Sequence, residues 1–232
     1  MPNIDDNLIQ VRTRIQCATE AAGRRPETVQ LLAVSKTKPA AMLREAHAAG
    51  QRAFGENYLQ EALEKQQQLA DLDLQWHFIG PIQSNKTRAI AENFDWVHSV
   101  DREKIGQRLS QQRPCGLPPL NICVQVNLDE EQSKSGVTLD EVADVLESLA
   151  KLPNICVRGL MAIPARRSDE DAQRAAFARL AEKCTELQDR YPQLDTLSMG
   201  MSGDLEAAIA AGATIVRIGT DIFGSREKPQ AI

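Results

Sequence analysis

Lys36 closes a run of apolar and small residues, Leu31-Leu32-Ala33-Val34-Ser35, and Thr37-Lys38-Pro39 leads from it into an alanine-rich stretch. Such a run reads as a short buried strand. A lysine at its end is a costly place for an ammonium without water or a partner. Burial depresses a lysine pKa and leaves the amine nucleophilic toward carbonyls. The bland alternative is a side chain that snorkels out of the strand end. A second group lies near the C-terminus. Ser198-Met199-Gly200-Met201-Ser202-Gly203-Asp204 and Arg217-Ile218-Gly219-Thr220 each place glycines and hydroxyl residues between an apolar run and a helical pattern. Backbone N–H groups at helix starts, joined by such hydroxyls, suit a phosphate dianion. For either motif alone, capping by Ser202 or a tight turn at Gly219 explains the pattern equally well.

Arg217 stands where the strand Thr214–Ile218 calls for an apolar side chain. Its guanidinium offers five donors and no acceptor. It serves either a structural ion pair, with Glu56 or Asp221, or an acceptor on a ligand. An amine nucleophile, a phosphate cup and a donor for a ring nitrogen together match the aldehyde, phosphate and pyridine of pyridoxal 5′-phosphate.

Elements that would position these groups follow from the pattern of the chain. Ile4, Leu8, Val11, Ile15 and Ala18 recur at helical spacing up to Gly23. Eight apolar segments then alternate with amphipathic ones: strands over Leu31–Lys36, Arg52–Gly55, Gln75–Ile79, Trp96–Val100, Asn121–Asn127, Asn154–Leu160, Asp195–Ser198 and Thr214–Ile218. Alternation of this kind implies parallel βα units, and eight of them close a (β/α)₈ barrel. An open doubly wound sheet calls for a Gly-x-Gly-x-x-Gly turn after its first strand, and none is present. No compositional shift marks a boundary. The expectation is one α/β domain over residues 1–232, with an extra N-terminal helix about 3–22, a TIM barrel about 30–224 and a short C-terminal tail. In such barrels chemistry sits at the C-terminal strand ends, where Lys36, Ser198–Gly203 and Arg217–Thr220 all fall.

A net charge of −5 without a basic block leaves no electrostatic footprint for nucleic acid. No apolar run reaches the ~20 residues of a membrane span, and the acidic start MPNIDDNLIQ is unlike a targeting peptide. Five cysteines, odd in number and without a C-x-x-C pair, read as reduced thiols of a cytoplasmic protein. His47, His77 and His98 have no ligand spacing to them, so no metal is expected.

The segments LLAVSKTKP, FGENYLQE, WHFIGPIQSNK, GLMAI, LSMGMSGDLEAAI and VRIGTDIFG, in this order and spacing, closely resemble the pyridoxal-phosphate homeostasis proteins, over essentially the whole chain. The resemblance implies a barrel like the N-terminal domain of alanine racemase (fold type III of the pyridoxal-phosphate proteins), with the cofactor held as an internal aldimine. By resemblance Lys36 is the Schiff-base lysine, Ser202, Gly219 and Thr220 hold the phosphate, Arg217 faces the pyridine nitrogen, and Asn57 and Ser198 line the pocket. The implied role is cofactor and amino-acid homeostasis without robust catalysis, with transient contact with apo-enzymes and a monomeric state. The alternative is an amino-acid racemase. That enzyme needs a second base, and Tyr58 and Tyr191 lie elsewhere in the motif map. A phosphosugar isomerase on the same fold would leave Lys36 and Arg217 without a shared task.

Other residues carry two readings each. His77, beside Trp76 and Phe78, is an acid–base candidate or hydrogen-bonded packing. Lys38 competes with Lys36 for the carbonyl, although Pro39 puts it in a loop. Lys134 either reaches the cofactor or solvates an acidic loop. Asn85 and Lys86 belong to a family motif, with helix-start duties as the default.

Overall fold

The computed structural model describes residues 3–131 and 134–225. Eight parallel strands close in sequence order, β1 pairing with both β2 and β8. They are β1 (Gln30–Val34), β2 (Ala53–Glu56), β3 (Gln75–Phe78), β4 (Trp96–Val100), β5 (Leu120–Val126), β6 (Ile155–Ala162), β7 (Thr196–Ser198) and β8 (Ile215–Ile218). The (β/α)₈ barrel expected from the alternation is the fold.

The helices are α1 (Ile4–Ala21), α2 (Ala40–Ala48), α3 (Leu59–Gln68), α4 (Thr87–Asn93), α5 (Glu103–Gln112), α6 (Val142–Leu149), α7 (Glu170–Gln188), α8 (Leu205–Ala210) and α9 (Thr220–Phe223). The large apolar cluster lies between strands and helices, joining Leu31 and Ala33 of β1 to Leu43 and Ala46 of α2. Helix α1 starts at Asn3, whose side chain accepts from the Asp6 N–H, with two acidic residues in its first turn as the helix dipole favours. Its buried stripe, Ile4, Leu8, Val11 and Ile15, packs beside α8, α9 and α2.

Two strand ends depart from the sequence reading. β1 stops at Val34, because Thr37 takes a left-handed φ of 64° and turns the chain. Lys36 therefore sits in the β1–α2 loop rather than on the strand. β6 runs on to Ala162, and its register with β5 shifts between Ile122 and Cys123. The tail set apart after residue 224 lies, beyond Ser225, outside the described residues.

Candidate functional site

A cleft of about 500 Å³ opens at the C-terminal ends of the strands. Lys36, Asn57, Ser202, Arg217, Gly219 and Thr220 all line it, together with Val34, Ile79 and Met161. Six of the seven site residues named from the sequence thus share one cavity. Ser198 is placed differently: it is fully buried beneath the cleft and does not line it.

Lys36 is half-buried on a loop that is fixed from behind. The buried Lys65 ammonium donates to the Ser35 carbonyl oxygen at 2.8 Å, to Glu56 Oε1 at 2.7 Å and to Glu61 Oε1 at 2.5 Å. Glu61 in turn accepts from the Thr37 N–H at 2.6 Å, and the Ser35 hydroxyl donates to Glu56 at 2.6 Å. Burial pushes the Glu56 carboxyl above its ordinary range, and Lys65 and Ser35 oppose the shift. Sequence reading offered Glu56 to Arg217, but its cation is Lys65. The signal was there: Lys65 falls three residues after the buried Ala62 on the inward stripe of α3. Lys38 is turned away, its ammonium on the Ser225 carbonyl oxygen at 2.8 Å.

The phosphate-type loops lie side by side. Among the described residues, no hydrogen bond occupies the backbone N–H groups of Ser202, Gly203, Gly219 or Thr220. A Cβ at Gly219 would come 3.0 Å from the Val34 carbonyl oxygen, so any side chain there crowds the β1 backbone. A Cβ at Gly203 meets no atom within 4 Å, so that side of the loop is open. Asp204 lines the same cleft but is engaged, its Oδ1 accepting from the Met201 N–H at 2.6 Å. Burial raises its pKa, and the Met201 bond and the Arg217 charge pull it back.

Arg217 is 5% exposed and aimed by carbonyl groups. Nη1 donates to the Ser198 carbonyl oxygen at 2.6 Å and to Ser198 Oγ at 2.8 Å, and Nη2 donates to the Ala162 carbonyl oxygen at 2.9 Å. Two of its five donors remain for the cleft. Desolvation lowers its pKa to about 10, which leaves it charged at neutral pH. Neither ion pair considered from the sequence forms, because Asp221 pairs with Arg14 and Glu56 with Lys65.

Beside Lys36, Asn57 contributes a buried Oδ1 with no partner. A buried acceptor without a donor is costly, so this atom asks for a ligand hydroxyl or N–H. The Asn57 backbone fits because residue 80 is glycine; a Cβ there would lie 2.1 Å from the Asn57 carbonyl oxygen. His77 is hydrogen-bonded packing, as the second of its readings held, and does not line the cleft. Lys134 joins Glu131 at 2.7 Å and the Ile163 carbonyl oxygen at 3.3 Å, tying two mouth loops together. Lys86 occupies the start of α4 without a side-chain cap, and Asn85 is exposed. Sequence reasoning missed His98, which is buried at 2.9 Å from His77. Trp96-x-His98 beside His77 on neighbouring strands was the available clue.

A family model described as alanine racemase, N-terminal domain, matches residues 7–227. A protein of Pseudomonas aeruginosa named pyridoxal phosphate homeostasis protein is 64% identical over 227 residues, covering 98% of this chain and 97% of that one. The chain belongs to the pyridoxal phosphate homeostasis proteins. Among solved structures, PipY of Synechococcus elongatus with PLP bound superposes on this family member with a TM-score of 0.82 at 41% identity, over 95% of this chain and all of that one. Alanine racemase of Corynebacterium glutamicum, at 17% identity and a TM-score of 0.70, covers 99% of this chain with 63% of its own length and shares the fold. The chain therefore spans these family relatives nearly end to end and matches the larger racemase over 63% of that protein's length.

Proposed function

We propose that this protein binds pyridoxal 5′-phosphate covalently through Lys36 and takes part in vitamin B6 and amino-acid homeostasis without robust turnover of its own. The observation that carries the reading is the sharing of one cleft by Lys36, Arg217 and the unengaged N–H groups of Ser202, Gly203, Gly219 and Thr220. The orphaned Asn57 Oδ1 adds a place for a donor on the ligand. When bound, the cofactor supplies an aldehyde that condenses reversibly with a primary amine.

Each residue then has a task. Lys36 provides the amine and is displaceable by another one, which suits a carrier that releases its cargo to apo-enzymes. Ser202 and Thr220 add hydroxyl donors to the phosphate loops. Arg217 donates to the ring nitrogen and cannot accept a proton, so the ring stays unprotonated and is a poor electron sink. Racemisation under that handicap calls for a strong second base. Among the described residues no tyrosine or histidine lines the cleft. Tyr58 is 52% exposed outside it and Tyr191 is buried beside α7.

The cysteines at 17, 115, 123, 156 and 184 are all free thiols, which supports a reducing, cytoplasmic setting. No helix of the described residues is long and apolar enough to cross a membrane. A closed barrel offers no sheet edge for pairing, consistent with a monomeric single domain.

The test is to add the cofactor, reduce with borohydride and weigh the protein. One stoichiometric adduct on Lys36 is the expected result. No adduct overturns the binding reading. Conversion of L-alanine to D-alanine at ordinary enzyme rates, roughly 1–1000 per second, overturns the non-catalytic part.

A further inference from the structure

The barrel interior beneath Arg217 holds a continuous polar file instead of the branched apolar layers usual in this fold. His98 Nδ1 lies 2.7 Å from Ser198 Oγ, His98 Nε2 lies 2.9 Å from His77 Nδ1, and His77 Nε2 lies 3.0 Å from Gln75 Oε1. Both imidazoles are fully buried, and His77 stacks on Trp96 with ring planes 3° apart. Trp96, which forms a small apolar cluster with Cys123 and Met161, lies against both rings, its centroid 5.6 Å from that of His77 and 5.9 Å from that of His98.

The direction of every hydrogen bond in this file follows from its lower end, where Gln75 Oε1 can only accept. His77 Nε2 therefore carries the proton, which leaves Nδ1 of the neutral ring an acceptor. A neutral His98 then carries its proton on Nε2 and donates to His77 Nδ1. Gln75 Oε1 also accepts from Gln30 Nε2 at 3.2 Å, and at the upper end His98 Nδ1 accepts the Ser198 hydroxyl proton, which leaves the Ser198 Oγ lone pairs for Arg217. Burial keeps both rings neutral, lowering His77 to about 3 and His98 well below its ordinary value. Reversing the file would leave an unprotonated His77 Nε2 facing the Gln75 Oε1 acceptor.

We propose that His98 and His77 are positioning residues for Arg217: they draw the Ser198 hydroxyl proton away, hold the oxygen as an acceptor toward Arg217, and thereby lock the guanidinium with its remaining donors toward the ring-nitrogen subsite of the cleft. The link to a ring nitrogen rests on the pyridoxal-phosphate reading above; the locking of the guanidinium does not. The two histidines touch neither the cleft nor any ligand in it. They act through Ser198, one strand away from Arg217.

The experiment has a cofactor-free arm and a loaded arm. In the cofactor-free protein, ¹⁵N NMR should show both imidazoles neutral with the proton on Nε2, and separate, slowly exchanging Nη signals for Arg217. His98→Leu should average those Nη signals. His98→Gln, whose amide can accept from Ser198 and donate to His77, should restore them. Protonation on Nδ1 in either ring of the wild-type protein overturns the proposal without any variant. So does an unchanged Arg217 signature in His98→Leu. In the loaded arm His98→Leu should weaken cofactor binding by roughly tenfold, the scale of one buried hydrogen bond, and shift the visible absorbance maximum. His77→Leu should add little in that background, as expected of a residue acting through His98. Equal, additive effects of the two substitutions overturn the file as a unit. Failure of the wild-type protein to form an adduct counts against the binding reading alone, since the cofactor-free arm still decides the file.

Discussion

Arg14, on the N-terminal helix, donates through Nη2 to the carbonyl oxygen of Ser202 at 2.8 Å across 188 positions of sequence. The same guanidinium pairs with Glu206 at 2.6 Å and with Asp221 at 3.2 Å. One side chain of α1 therefore touches the loop before α8, the helix α8 itself and the short helix α9. The added helix is a brace for both phosphate-type loops. Each ion pair is partly exposed and worth at most about 1 kcal/mol. Arg14→Ala should lower stability by only about 1–2 kcal/mol in urea denaturation while weakening cofactor affinity several-fold, with inorganic phosphate as a competing probe. Unchanged affinity would show that the loops hold their shape without α1.

Lys36→Ala should abolish the borohydride-reducible adduct and cost less than about 1 kcal/mol, because the side chain is half-buried at a loop rather than packed in the core. Mass analysis after reduction is the measurement. An adduct that survives in the variant would move the amine to Lys38 or Lys134, whose ammonium groups here rest on carbonyl oxygens of neighbouring loops.

Removing Lys65 should cost far more than removing Lys36. Lys65→Met leaves the fully buried Glu56 without its cation, a change worth about 3–5 kcal/mol. Pairing it with Glu56→Gln should recover much of the loss. The sign of the Glu56 shift adds a check. Its folded pKa lies above the unfolded value, so its share of stability is complete below the ordinary carboxylate pKa and fades as pH rises through the folded one. The double variant should lack that decline in urea midpoints.

The two buried histidines pull the other way. Their folded pKa values are depressed, His77 to about 3, so unfolding takes up protons below the ordinary value of about 6.5. Stability should fall with acidification from about pH 6.5 downward, by up to about 1.4 kcal/mol per pH unit for each ring. A double His77→Gln, His98→Gln variant should show a much shallower slope in the pH 4–6 window. An equal slope would locate the acid sensitivity elsewhere.

Arg217→Glu should change the colour of the loaded protein by permitting ring protonation, since a carboxylate accepts from a protonated ring nitrogen. It should also destabilise, since a carboxylate would replace the donor facing the Ser198 and Ala162 carbonyl oxygens. A visible spectrum identical to the wild type from pH 6 to pH 9 would remove Arg217 from the ring-nitrogen position.

Alternation of apolar and amphipathic segments was enough to read the barrel, because each strand and helix must bury its own face. The cleft was legible for a related reason: strand ends of a barrel converge, so residues that close apolar runs, Lys36 and Arg217 among them, meet at one mouth. What lay outside reach depends on side-chain direction across the interior. Ser198 follows β7 as closely as Ser202 follows its loop, yet it points beneath the cleft, and pattern alone does not give that depth. Lys65 and Arg14 were unread because each supports the site from a helix, with partners set by packing rather than spacing. The polar file was hidden by the rule that barrel interiors are apolar, which this chain breaks at His77 and His98.

The seam of the barrel runs between β1 and β8, and Lys36 belongs to the first strand unit while Ser202, Gly203, Arg217, Gly219 and Thr220 belong to the last two. A chain still emerging from the ribosome carries Lys36 early, but the cleft that Lys36 shares with Gly219 and Thr220 exists only once β8 has docked on β1 and the ring has shut.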